Sequence, residues 1–194
     1  GALTYTFESP KVFDKLCIKA DSPLRDAMKI TNPLGEDFSI MRTISLNGIL
    51  SSLSTNYNRR VEEAALYEIG KIYIKPSADV APILEGKHAY EHELPAEIKK
   101  LTIGQYGKNV DFFSFKGMIE TLMFALHIQN IEFVRNTELE YMHPGRTATL
   151  LINGKEAGFF GEIHPQVAKN YSLDTRVYMA ELDLQTMLDA INKD

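Results

Sequence analysis

The chain predicts an α+β fold: a largely antiparallel sheet flanked by helices. Three observations carry that prediction. Strand-like runs follow one another through short links and tight turns, Asn153-Gly154 among them. Helical patterns come singly between these runs, unlike the strict alternation of a doubly wound parallel sheet. Those helices carry wide apolar faces, so at least one face of the sheet is covered.

In chain order, Ser9-Pro10 is a good helix start, with Ser as cap and Pro at the first helical position. Val12, Phe13 and Leu16 give that helix its apolar face. Met28 and Ile30 read as a brief strand that breaks at Asn32-Pro33-Leu34-Gly35. From Thr43 to Asn58, apolar residues recur with helical spacing at Leu46, Ile49, Leu50, Leu53 and Tyr57. Leu66 to Ile74 is a strand, with Leu66, Glu68, Gly70 and Ile72 on one side. Residues 75–98 read as a long polar loop, of the kind that is functional or disordered. Leu101 to Gly107 is the next strand. Phe115, Met118, Ile119, Leu122 and Leu126 mark a second amphipathic helix, which His127 ends at a favourable C-terminal position. After a short strand at 131–134, two strands at 147–152 and 157–163 flank Asn153-Gly154, the strongest short-range hairpin signal. His143-Pro144 and His164-Pro165 frame this hairpin as stiff corners. Pro165 opens a helix to about Tyr171, Val177 to Asp183 is a last strand, and a helix closes the chain.

The length, 194 residues, suits one large or two small domains. A net charge of −5 argues against a surface built mainly for nucleic acid. Cys17 is the only cysteine, which excludes an internal disulfide and fits a reducing cytoplasm. No apolar run spans a membrane, so no membrane partner is expected. The start lacks a signal-peptide layout and the end lacks a helix stop, so the chain reads as a piece of something longer.

Catalytic motifs are sparse. There is no Gly-rich phosphate loop and no nucleophile elbow. Gly158 and Gly161 fall inside a strand, where they permit close backbone packing or a bulge. His88, Glu91 and His92 match H-x-x-E-H, but a zinc site needs both histidines on one helix face, and this segment reads as loop. Glu68 shares a strand face with apolar residues and needs a partner, which Arg42 or Arg59 could supply. Arg146, after a Pro-Gly turn, suits clamping a turn or a partner, with anion binding as the lesser alternative.

Several segments resemble one family in order along nearly the whole chain. They are Asn32 to Thr43, Leu66-Tyr67-Glu68-Ile69-Gly70-Lys71-Ile72-Tyr73, Asp111-Phe112-Phe113-Ser114-Phe115-Lys116-Gly117, His143-Pro144-Gly145-Arg146 and Gly161-Glu162-Ile163-His164-Pro165. They resemble the catalytic-like core of the β subunit of bacterial-type phenylalanyl-tRNA synthetase. The resemblance implies a class II aminoacyl-tRNA synthetase-like core as a single domain over 1–194. Within it would lie an entry helix and strand (3–30), a signature helix and strand (36–74), the 75–98 loop, and the remaining sheet and helices (99–194). It further implies a cytoplasmic α2β2 complex that joins phenylalanine to tRNA(Phe) with ATP and magnesium, and a synthetase α subunit as partner.

A class II site needs arginines for the triphosphate, one in a pattern like F-R-x-E and one in a pattern like G-x-G-x-x-R. This sequence reads Leu66-Tyr67-Glu68-Ile69-Gly70 and Ala180-Glu181-Leu182-Asp183-Leu184 at the corresponding strands, acidic in both. The expectation is a scaffold that has lost its ATP site, with no catalytic, cofactor or metal residue and no activity alone. Its structural or interface candidates are Met41, Arg42, Leu46, Glu68, His143, Pro144, Gly145, Arg146, Glu162, His164 and Pro165, with exposed apolar residues of the 43–58 helix meeting the α subunit. The alternatives are an adenylate-forming ligase in its own right and a zinc hydrolase through His88, Glu91 and His92. A direct tRNA-binding module is disfavoured by the acidic balance. Alone, a chain with such an uncovered interface can self-associate.

Overall fold

A computed structural model describes residues 1–75 and 95–191. The H-x-x-E-H segment lies outside the described residues. Near the start, β1 (Phe7–Glu8) and β2 (Ile40–Met41) form a small two-stranded sheet. Between them α1 (Lys11–Lys15) buries Val12 and Phe13, and Ser9 Oγ accepts the Lys11 N–H at 3.2 Å. The strand expected at Met28–Ile30 is reduced to one bridge, Lys29 to Ile40.

The long helix α2 (Leu46–Asn58) starts three residues later than its spacing suggests. Thr43 and Ser45 side chains are held by bonds to distant elements, Thr43 Oγ1 donating to the Leu24 carbonyl at 2.5 Å. Leu46, Ile49, Leu50 and Leu53 are fully enclosed, as their i, i+3, i+4, i+7 spacing requires. Gly48, inside this helix, faces the N-terminal segment. A Cβ there would sit 2.4 Å from the Thr4 side chain, so glycine is what lets the segment cross the helix.

The main sheet contains β3 (Ala64–Ile74), β4 (Ala96–Tyr106), β5 (Ile131–Arg135), β6 (Met142–Ile152), β7 (Lys155–Ile163) and β8 (Tyr178–Asp183). The spatial order is β3-β4-β8-β7-β6-β5, antiparallel throughout. Residues 96–98, expected in the loop, belong to β4, where Ile98 pairs with Ile72. The apolar cross-strand pair extends the ladder beyond where local polarity suggested an end. Asn153 and Gly154 both take positive φ, 52° and 76°, as a two-residue hairpin turn demands. The first corner is not a boundary but part of β6: pairing jumps from Met142–Ile163 to Thr147–Gly161, so His143 to Arg146 form a bulge.

Three helices complete the fold: α3 (Phe112–Ala125), α4 (Pro165–Asn170) and α5 (Leu184–Ile191). Asp111 and Ser114 cap α3 reciprocally, at 2.7 and 2.9 Å. His127, at φ 57°, closes the helix through its backbone N–H on the Phe124 carbonyl. Helices α1, α2 and α4 build one core on one face of the sheet. Helices α3 and α5 build a second on the opposite face. No helix among the described residues is long and apolar enough to cross a membrane.

Candidate functional site

Strand register aligns Glu68, Thr102 and Glu181 in one row across β3, β4 and β8. All three are buried on the α2 side. Buried carboxylates need donors, and each finds them differently. Glu181 Oε2 accepts the Ser45 N–H at 2.9 Å and its hydroxyl at 2.8 Å, directly before α2. A helix N-terminus favours a negative charge there. Thr102 joins through its hydroxyl, 2.5 Å from that of Ser45.

Glu68 lies 3.5 Å from Arg42, and both are almost wholly buried, at 4% and 2% exposure. Glu68 also accepts the Thr4 N–H at 3.3 Å and the Thr4 hydroxyl. Arg42 Nε donates to the Lys71 carbonyl at 2.7 Å. So Arg42, not Arg59, is the partner of Glu68. Arg59 sits exposed after α2. Glu8 lies against the same patch with 5% exposure, and burial pushes its carboxyl up to about 7, only partly offset by the Arg42 charge.

One strand-step along, Lys100 pairs with Asp183 in register, and their side chains meet at 3.5 Å. Asp183 caps α5, accepting the Thr186 N–H at 2.8 Å and its hydroxyl at 2.9 Å. Burial pushes its carboxyl up, but these bonds and the Lys100 charge outweigh that and hold it below the usual range. A cavity of about 310 Å³ opens here. Among the described residues its charged lining is Lys100 against Glu156, Glu181 and Asp183, with no arginine.

The two His-Pro corners meet elsewhere, at the far end of β7. His143 Nδ1 accepts the Gly145 N–H at 3.0 Å, and His164 Nδ1 accepts the Gln166 N–H at 3.1 Å as the cap of α4. Each ring therefore stiffens its own turn. Glu162 is buried between Arg146, at 3.2 Å, and Arg176, at 3.8 Å, and the Tyr178 hydroxyl donates to it at 3.4 Å. Pro144 and Gly145 are exposed at the bulge, and Pro165 opens α4. Gly161 is required by backbone contact: a Cβ would lie 2.1 Å from the Arg146 carbonyl oxygen. Gly158 meets the Glu181 carbonyl in the same way. Neither glycine cradles a ligand.

Among the remaining expected residues, Met41 is half-buried opposite Phe7, and Leu46 is core. The outward residues of α2 are polar, Ser51, Thr55 and Asn58 among them, so its apolar side chains are spent inside this domain. Among the described residues no cluster of three His, Cys, Asp or Glu side chains could hold a metal. The sequence reading missed Glu8, Ser45, Thr102, Lys100 and Arg176. Each enters its cluster through strand pairing or a distant turn, which local periodicity does not report.

The comparisons agree with this geometry. The profile of the phenylalanyl tRNA synthetase beta chain CLM domain matches residues 1–184. Phenylalanine–tRNA ligase beta subunits from Clostridium acetobutylicum and Clostridium tetani are each 44% identical over 191 residues, 98% of this chain. The chain spans 22% of the length of either relative. A pyrrolysyl-tRNA synthetase structure from Desulfitobacterium hafniense shares the fold, with a TM-score of 0.69 over 96% of this chain and 61% of that one, at 18% identity. A profile match along almost the entire sequence and relatives 44% identical over it show the same thing: this chain belongs to the family of the phenylalanyl-tRNA synthetase beta chain CLM domain.

Proposed function

We propose that this chain is a non-catalytic scaffold module of a phenylalanine–tRNA ligase. It packs against a catalytic α subunit in a cytoplasmic α2β2 complex that charges tRNA(Phe) with phenylalanine using ATP and magnesium. The observation that carries this reading is the charge of the cleft over β4, β7 and β8. Among the described residues, Lys100 is the one cation there, against Glu156, Glu181 and Asp183. A triphosphate held without fixed cations loses most of its electrostatic stabilisation in the transition state. The carboxylates are also engaged in the fold, Glu181 with Ser45 and Asp183 with Thr186. The chain keeps the architecture and leaves the chemistry to its partner.

A docking role is supported by an uncovered stretch of sheet. Helices α3 and α5 cover the opposite face over most of its strands, but Tyr67 and Ile69 of β3 remain 53% and 56% exposed. Leu3 adds a third exposed apolar side chain beside them, next to Ala2, whose N–H donates to the Tyr67 carbonyl. This surface, rather than α2, is the place where the α subunit packs. A specific complex needs roughly 1,000 Å² of buried surface in total. Sizing chromatography of this chain mixed with the α subunit tests the reading. Comigration at micromolar concentration is expected, weakened about tenfold by Tyr67→Ser with Ile69→Ser. Separate elution of the two wild-type chains rejects it.

A further inference from the structure

We propose that the cavity between the β6 bulge and α4 binds a phosphorylated small molecule, gripping its phosphate with Arg146, Arg176 and Lys169. The proposal does not depend on the scaffold reading above, because this cavity lies away from the acidic cleft.

Its volume, about 780 Å³, is that of a small-molecule site and far exceeds a single ion. Three cations line it against two carboxylates, Glu162 and Asp174. That leaves a local positive surplus on a chain whose net charge is −5. A positive concavity on an acidic molecule concentrates anions locally.

Glu162 gives the cluster its order. It is buried, and it takes one hydrogen bond from Arg146 and lies 3.8 Å from Arg176. A buried carboxylate of this kind fixes a guanidinium without using all five of its donors. The two arginines line the cavity and are 40% and 67% exposed, which leaves guanidinium surface unused by Glu162. Planar forks of this kind match phosphate oxygens. His143 adds to the set of donors. Its Nδ1 already accepts the Gly145 N–H, so the neutral ring carries its proton on Nε2. Lys169 brings a mobile point charge from α4. The bulge at His143 to Arg146 takes those two side chains out of the regular strand alternation, as bulges do beside binding sites.

The phosphate can arrive free or as part of a nucleotide-sized molecule, and the volume favours the second. NMR titration of this chain distinguishes them, read on the Nε–H resonances of Arg146 and Arg176. The probes are inorganic phosphate, adenosine 5′-monophosphate and, as uncharged control, adenosine. Saturable shifts with the monophosphate, weaker shifts with phosphate and none with adenosine are expected. Equal affinity for phosphate and monophosphate would assign the cavity to the free ion and overturn the nucleotide-sized ligand. Arg176→Gln and Lys169→Ala change exposed side chains and leave Glu162 with Arg146. Each should weaken binding about tenfold without moving the melting temperature. Absence of saturable shifts at tens of millimolar phosphate or monophosphate overturns the proposal, as does undiminished binding by the Arg176→Gln, Lys169→Ala double variant.

Discussion

Glu8, Arg42 and Glu68 share one enclosed patch, and their charges do not balance. Two carboxylates face one guanidinium, and neither Glu8 oxygen has a hydrogen-bond partner among the described residues. Glu8 resolves the excess by holding a proton more tightly than usual, with its carboxyl raised from 4.5 to about 7. Below the unfolded value both states are protonated, and the full stability is present. As pH rises through 7 the folded state must give up its proton in a buried place, and stability falls. The predicted loss between pH 4.5 and 8 is of order 3 kcal/mol for a shift of this size. Urea unfolding should show it in the wild type and not in Glu8→Gln, so the two curves converge at low pH. Arg42→Met leaves Glu68 buried and uncompensated. It should cost about 3–5 kcal/mol in the same assay, and Glu68→Gln added to it should restore part of the loss. That Glu68 needs a cationic partner was legible in the sequence, because strand parity placed a carboxylate among apolar residues, but the choice between Arg42 and Arg59 was not. Glu8 was not, since a two-residue strand has no period to read.

Hairpins and helices follow local signals closely, while their ends answer to distant partners. Asn153-Gly154 specifies its turn by backbone conformation alone, and α2 is fixed by the spacing of four core residues. The start of α2 is set by Ser45, which bonds to Glu181 more than a hundred positions away in sequence, so no nearby residue announces it. The His143-Pro144 bulge is similar: it reads locally as a corner, yet strand pairing continues past it from Met142 to Ile163. By contrast α3 carries its own start signal in the Asp111–Ser114 capping box. Asp111→Ala removes the acceptor for the Ser114 N–H and should destabilise the chain by about 1 kcal/mol in thermal or urea unfolding. An unchanged midpoint would mean that packing of Phe115, Ile119 and Met123 alone sets the helix start.

Across the molecule, a six-stranded antiparallel sheet with helices on both faces forms a frame shared with the pyrrolysyl-tRNA synthetase structure. The fold class was legible because strand runs, turn residues and single helices all pointed to it. The row of buried acids across the sheet was legible only in part. The acids at Glu68 and Glu181 could be read from the chain. That Glu68 is neutralised by Arg42, and Glu181 held by Ser45 and Thr102, required the sheet register. These bonds engage both carboxylates within the fold, which is the basis for proposing that no nucleotide is held here. Calorimetric titration of this chain with magnesium-ATP tests that reading most directly. The account predicts no saturable heat at micromolar to millimolar nucleotide when the binding is read at the acidic cleft, that is, in a chain whose Arg176 and Lys169 have been replaced. Micromolar ATP binding that survives those replacements and is lost in Lys100→Ala would contradict it.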